Sequence, residues 1–175
     1  MRPKRNNYAY IDGANLHNGI RGLNWSFDYA RFRIWLREKY SVEQAFLFLG
    51  MIPRYKEIYK RLQKEGYILV FKEVVYDQSG KPKGNCDADI VVSAMEDAYE
   101  KKFDRAILVS SDGDYAPLVK FLLKRNNIET IISPGEAKRC SILLKRTGVK
   151  IAYVADKRTV LEKQKEKAPN EDGTS

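Results

Sequence analysis

The sequence alternates short apolar runs with amphipathic stretches from Tyr8 to about Val154. The apolar runs have the length of strands, and the amphipathic stretches repeat apolar residues every three to four positions, which is typical of helices. Strands that alternate with helices predict a mostly parallel sheet with helices on both faces and right-handed crossovers. We therefore expect an α/β fold with three layers, α/β/α.

The same pattern gives approximate bounds for the elements. We predict strands at residues 8–11, 44–49, 67–76, 105–110, 128–132 and 150–154, and helices at 27–40, from 53 to about 66, 88–99, 117–124 and 137–145. A chain of 175 residues suits one domain, which we place at residues 1–156. Residues 157–175, KRTVLEKQKEKAPNEDGTS, are charged and poor in large apolar side chains. We expect them to form a frayed helix and a disordered C-terminal tail.

Composition indicates which binding partners the chain favours and which kinds of catalytic or metal site it disfavours. The chain has 32 Lys and Arg against 23 Asp and Glu, a formal charge of +9, which favours polyanionic partners such as nucleic acid. The chain has one histidine and two cysteines that are far apart in the sequence. A zinc site built on cysteines and a Ser-His or Cys-His catalytic pair are therefore disfavoured. The sequence shows no disulfide framework and no apolar leader, and no run approaches the ~18 apolar residues of a membrane span. We therefore expect a cytoplasmic protein with no membrane partner.

Acidic residues follow three of the predicted strands. They are Asp12, with Asn15 close behind, after the first strand; Asp112 and Asp114 after the fourth; and Asp87 and Asp89 at the start of the helix after the third. If the first strand lies beside the fourth at the topological switch point, these groups converge at one edge of the sheet. Four or five carboxylates in one pocket repel each other unless a cation compensates them. Ligands that are all oxygen favour Mg²⁺ or Mn²⁺, and such a centre suits phosphodiester hydrolysis.

Other interpretations of the same residues stay open. Each aspartate alone can serve as a helix N-cap or in an Asx turn, although turn formation does not require three groups to share one edge. A haloacid-dehalogenase phosphatase needs Asp-x-Asp directly after the first strand, where this chain has Asp12-Gly13-Ala14. A Toprim domain places a glutamate there, and a dinucleotide-binding enzyme needs GxGxxG. All three alternatives fit the sequence less well than a metal-dependent nuclease.

Three sequence blocks identify a family resemblance. YIDGANL at 10–16, KGNCD at 83–87 and LVSSDGDY at 108–115, followed by PLV at 117–119, resemble the NYN domain in the LabA-like branch of the PIN-like superfamily. The resemblance covers about residues 7–155. It implies a Rossmann-like, PIN-like fold and metal-dependent ribonuclease activity.

The resemblance also implies roles for individual residues. The catalytic and metal-binding set carried over by position is Asp12, Asp87, Asp112 and Asp114. Asn15 becomes a supporting polar group, and Ser110 and Ser111 shape the loop after the fourth strand. Many relatives have a further aspartate where this chain has Ser93. Asp89, one helical turn earlier on the same face, is the candidate substitute.

Basic and aromatic residues near this edge are candidates for RNA binding. The basic candidates for neutralising backbone phosphates are Lys72, Lys81, Lys83, Arg54, Lys138 and Arg139. The aromatic candidates for stacking on unpaired bases are Trp25, Tyr55, Tyr76 and Tyr115. A solvated surface for the lysines and arginines, and core packing for the aromatic rings, are the alternatives.

Two functional hypotheses follow. The first is a ribonuclease in which Mg²⁺ or Mn²⁺ activates water, so that no histidine base is needed. The second is a non-catalytic RNA-binding or regulatory module with a weakened metal site, which Ser93 supports. RNA is the expected partner in both. A homodimer is compatible with a domain of this size, but no surface stripe in the sequence marks its interface.

Overall fold

The computed structural model describes residues 5–83 and 86–164, without the side chains of Pro82 and Lys83. Its strands are β1 (Asn7–Asp12), β2 (Val42–Gly50), β3 (Tyr67–Lys72), β4 (Val75–Tyr76), β5 (Pro82–Lys83), β6 (Ala106–Val109), β7 (Ile128–Ser133) and β8 (Ile151–Tyr153). Six of them form one parallel sheet in the order β3-β2-β1-β6-β7-β8, and β4 and β5 form a small antiparallel hairpin.

Helices cover both faces of the sheet, which confirms the predicted α/β/α fold class. They are α1 (Gly13–Arg21), α2 (Tyr29–Tyr40), α3 (Lys56–Lys64), α4 (Asp87–Tyr99), α5 (Ala116–Lys124), α6 (Ile142–Lys145) and α7 (Arg158–Leu161). The core on one face contains Ile90 of α4 and Leu122 of α5. The core on the other contains Phe32 of α2, Leu62 of α3 and Leu161 of α7. None of the helices within the described residues has both the length and the apolar character needed to cross a bilayer.

The strand order reverses between β1 and β6. Tyr10 of β1 is paired in parallel register with Phe46 of β2 on one side and with Leu108 of β6 on the other. All six residues of β1 are buried, as expected for a central strand covered on both faces. The first and fourth strands of the sequence pattern lie side by side, which is the condition under which the acidic groups were expected to converge. Their carboxyl ends meet at the point where ligands bind in open α/β sheets.

Three elements differ from the sequence prediction. The strand predicted over residues 67–76 ends at Lys72, and residues 75–76 turn into the hairpin with β5. The carboxylate of Asp77 accepts backbone N–H groups of Ser79 and Lys81 and closes that hairpin. Helix α1 was not predicted, and it begins directly after β1. The helix predicted over 137–145 is a 3-10 turn followed by the single turn of α6.

The described C-terminal residues pack on the domain beyond the predicted boundary at residue 156. Leu161 is fully buried, and its carbonyl accepts the backbone N–H of Asp28 at 2.9 Å. The backbone N–H of Lys163 donates to the carbonyl of Ser26 at 2.8 Å. The predicted tail begins at residue 157 because its composition is charged. Composition cannot show that Leu161 is buried or that the backbone of this segment is hydrogen-bonded to the domain. The rest of the predicted tail, residues 165–175, lies outside the described residues.

Candidate metal centre at the sheet edge

Asp12 lies at the carboxyl end of β1 and is 8% exposed. One of its carboxylate oxygens accepts the backbone N–H of Asn15 at 3.0 Å, so Asp12 caps α1. The other oxygen lies 3.2 Å from the hydroxyl of Tyr115. Burial raises the pKa of Asp12; the hydrogen bond from Asn15 opposes this shift, and the negative charge of Asp87 reinforces it. This carboxylate therefore occupies a position in which a nearby cation is favoured.

The loop after β6 carries Asp112 and Asp114 and is held by hydrogen bonds among its own residues and with α1. The backbone N–H of Asp112 donates to the hydroxyl of Ser110 at 3.1 Å, and the Asp112 carboxylate accepts the N–H of Asp114 at 2.9 Å. The amide oxygen of Asn15 accepts the N–H of Ser111 at 2.9 Å. Asn15, Ser110 and Ser111 thus lie beside the carboxylates and hold the loop.

Carboxylate oxygens of Asp87, Asp112 and Asp114 all lie within 4.8 Å of one another. We call these residues the carboxylate trio. They belong to two elements, the first turn of α4 and the loop after β6, and Asp114 is exposed. Oxygen ligands on the rim of a sheet fit a hard divalent cation such as Mg²⁺ or Mn²⁺. Asp12, the fourth predicted ligand, lies outside the trio and contacts it through Tyr115.

Tyr115 is fully buried, and its hydroxyl donates to the Asp87 carboxylate at 2.8 Å. Burial and the negative charge of Asp12 raise the pKa of this hydroxyl, which keeps it protonated. Of the two interpretations of Tyr115, the structure favours core packing over stacking on RNA bases, because its ring has no exposed face. The sequence contains a tyrosine next to two aspartates, but it does not indicate where the hydroxyl points.

Asp89 and Ser93 lie farther along α4. The Asp89 carboxylate pairs with Lys72 at 3.2 Å, and the structure does not bring it into the trio. Ser93 is partly buried and faces a groove of about 250 Å³ between β3 and α4. Apolar side chains, among them Phe48 and Val70, line most of this groove. The structure therefore gives no geometric support to Asp89 as the substitute ligand that the sequence suggested.

The basic candidates lie on both sides of the trio. Lys72 ends β3, and Arg54 stacks on the ring of Tyr55, 4.9 Å from its centroid. After β7, Lys138 pairs with Glu136 at 2.6 Å, and Arg139 lines a cleft of about 210 Å³.

The remaining RNA-binding candidates are exposed to different degrees. Lys81 is exposed in the hairpin, and the side chain of Lys83 lies outside the described residues. Tyr76 is 58% exposed, whereas Tyr55 and Trp25 are partly buried. Of the four aromatic candidates, Tyr76 therefore offers the most open ring.

Comparisons with known proteins agree with this architecture. The NYN domain model matches residues 8–164. A crystal structure of a protein of unknown function from Vibrio parahaemolyticus superposes with a TM-score of 0.72 at 24% identity. The superposition covers 89% of this chain and 97% of that one, and shows a shared fold. No curated protein sequence matches significantly. Because the family model spans nearly the whole described chain, the chain belongs to the NYN domain family.

Proposed function

We propose that this protein is a ribonuclease that hydrolyses phosphodiester bonds with a carboxylate-bound Mg²⁺ or Mn²⁺. The observation that carries the proposal is the carboxylate trio at the switch point of the sheet. Three carboxylates so close together repel each other in the absence of a cation. Membership of a family of nucleases supports phosphodiester hydrolysis as the use of such a cation.

In this proposal Asp87, Asp112 and Asp114 hold the ion. A divalent ion held by these three carboxylates would polarise a phosphate oxygen and lower the pKa of an attacking water. Asp12 adds negative charge from the buried side, and its hydrogen bond to the Asn15 N–H fixes its orientation. The chain's one histidine, His17, is not needed as a base.

The basic residues on both sides of the trio would bind the RNA backbone. Lys72 lies on the β3 side and Arg139 on the β7 side, so a strand crossing the edge would meet a cation before and after the carboxylates. The net charge of +9 supports binding of a polyanion, with an affinity that falls as salt rises. The cytoplasmic location and the homodimer stay predictions from the sequence.

The test is cleavage of labelled single-stranded and hairpin RNAs by purified protein with Mg²⁺, Mn²⁺ or EDTA. Asp112→Asn removes one charge of the trio and keeps an oxygen that can accept the Asp114 N–H. The matched control is Asp104→Asn, because the Asp104 carboxylate also accepts a backbone N–H, from Asn6 at 2.8 Å, but precedes β6 at the opposite edge of the sheet. We expect metal-dependent cleavage by the wild type and the control and none by Asp112→Asn. Equal cleavage by all three proteins, or cleavage in EDTA, would contradict the proposal.

A non-catalytic RNA-binding module is the second candidate. It is favoured by Ser93, which stands where many relatives have an aspartate, and by the pairing of Asp89 with Lys72 away from the trio. Salt-dependent RNA binding without cleavage under any metal condition would select this candidate.

A further inference from the structure

We propose that the Tyr115 hydroxyl is the positioning group of the metal centre, linking Asp12 at the end of β1 to Asp87 at the start of α4. The inference rests on the proposed function, because it assigns a role within the same centre. The contacts with Asp12 and Asp87 are made by the hydroxyl, whereas the ring packs in the core.

The geometry places one hydroxyl between two carboxylates from distant parts of the chain. Its oxygen lies 2.8 Å from Asp87, which is 28 residues away, and 3.2 Å from Asp12, which is 103 residues away. A tyrosine hydroxyl has one proton and donates it to one acceptor at a time. Both carboxylates lie within reach of that donor, so it holds them near a common point.

The backbone of Tyr115 belongs to the same 3-10 turn, Gly113–Tyr115, as Asp114, and Asp112 caps that turn. A movement of Tyr115 would therefore displace the loop that carries two members of the trio as well as the hydroxyl that contacts the third. One residue thus connects all four acidic side chains of the centre.

The ring is held firmly enough to act in this way. It is fully buried in the core on the α4 face, together with Ile90 and Leu118. A side chain fixed by packing can orient a ligand at little further entropic cost. The positioning role is needed because Asp87 and Asp12 are both negatively charged and repel each other when ionised.

The test is the affinity for Mn²⁺, measured by the electron paramagnetic resonance signal of the free ion. Tyr115→Phe removes the hydroxyl and keeps the ring. The matched control is Tyr10→Phe: Tyr10 is also buried and its hydroxyl also donates to a carboxylate, that of Asp97 at 2.7 Å, but Asp97 is outside the trio. Loss of outer partners of metal ligands typically weakens metal affinity by about 10- to 100-fold. We expect a loss of at least about tenfold for Tyr115→Phe and no change for Tyr10→Phe.

A second pair of measurements separates positioning from general damage to the fold. RNA affinity in EDTA should be unchanged in Tyr115→Phe, because the basic residues are untouched. In the Asp12→Asn background, Tyr115→Phe should lower the affinity for Mn²⁺ by a smaller factor than in the wild type, because the two residues act together. Additive losses, or equal Mn²⁺ affinity in wild type and Tyr115→Phe, would overturn the inference while leaving the metal centre intact. A wild type that binds no Mn²⁺ would overturn the proposed function itself and this inference with it.

Discussion

The side-chain oxygen of Asn15 accepts two hydrogen bonds from Ser111, one from the backbone N–H at 2.9 Å and one from the hydroxyl at 3.0 Å. This pair joins the first turn of α1 to the loop after β6. Because Asp112 directly follows Ser111 and Asp12 caps α1, the pair also holds Asp112 close to Asp12. An amide oxygen accepts these hydrogen bonds without adding a further negative charge.

Asn15→Ala should therefore destabilise the fold and weaken metal binding. The change leaves two partly buried donors of Ser111 without their acceptor, which typically costs about 1–3 kcal/mol. Urea unfolding would measure the loss. Asn18→Ala is the control, because Asn18 is exposed on the same helix. Equal unfolding midpoints for the two variants would show that the Asn15–Ser111 pair does not stabilise the loop.

Gly13→Ala should destabilise β2 at the same edge. A Cβ at Gly13 would lie 2.5 Å from the backbone oxygen of Phe48, and a strand backbone cannot move away easily. Overpacking of this kind typically costs about 1–3 kcal/mol. Gly22→Ala is the control: its Cβ would meet mainly the flexible end of Arg139. A thermal unfolding midpoint for Gly13→Ala at or above that of the control would contradict the prediction.

Glu65→Gln should stabilise the protein at neutral pH and lose this advantage in acid. One oxygen of Glu65 is buried and has no hydrogen-bond partner among the residues that the structure describes. Burial raises the pKa of Glu65, and the charge of Arg61 opposes that shift. A raised pKa means that the folded state binds the proton more tightly than the unfolded state. The stabilisation from that proton is complete below the ordinary pKa of 4.5 and is lost as pH rises through the folded pKa.

The measurement is thermal unfolding from about pH 4 to about pH 8. We expect Glu65→Gln to unfold at a higher temperature than the wild type at neutral pH, because an uncharged amide is buried at lower cost than an ionised carboxylate. Glu57→Gln, at the exposed start of the same helix, should show no such gain. A gain for Glu65→Gln that did not shrink in acid would mean that ionisation is not its cause.

Periodicity predicted the parallel sheet because β1 and β6 are short apolar runs that alternate with amphipathic stretches. It did not predict the strand order, and the adjacency of β1 and β6 entered the sequence analysis as a condition. Nor did periodicity predict α1, since GANLHNGIR contains glycines and asparagines that disfavour a helix. The helix forms because Asp12 caps it and Leu16 is buried in the core. Tertiary contacts outweigh local preference at this point.

The acidic residues of the site could be predicted from the sequence, but the connections between them could not. Asp12 and Asp112 come at the carboxyl ends of the neighbouring parallel strands β1 and β6, which share one edge, whereas Asp87 opens α4 after the β4–β5 hairpin. The hydroxyl of Tyr115 and the pairing of Asp89 with Lys72 depend on side-chain directions, which no spacing rule specifies. The sequence therefore predicts which residues approach the edge, and the structure shows which of them contact one another.

Mg²⁺ or Mn²⁺ should stabilise the metal-free protein through the carboxylate trio. A ligand that binds only the folded state adds about 2.7 kcal/mol at a concentration 100 times its Kd. Asp112→Asn should lose most of this ion-induced shift in thermal unfolding midpoint, because one of three charges within 4.8 Å is gone. Asp104→Asn should keep the full shift. If NaCl at equal ionic strength produced the same shift, screening of the +9 charge would explain it, and the trio would not be a divalent site.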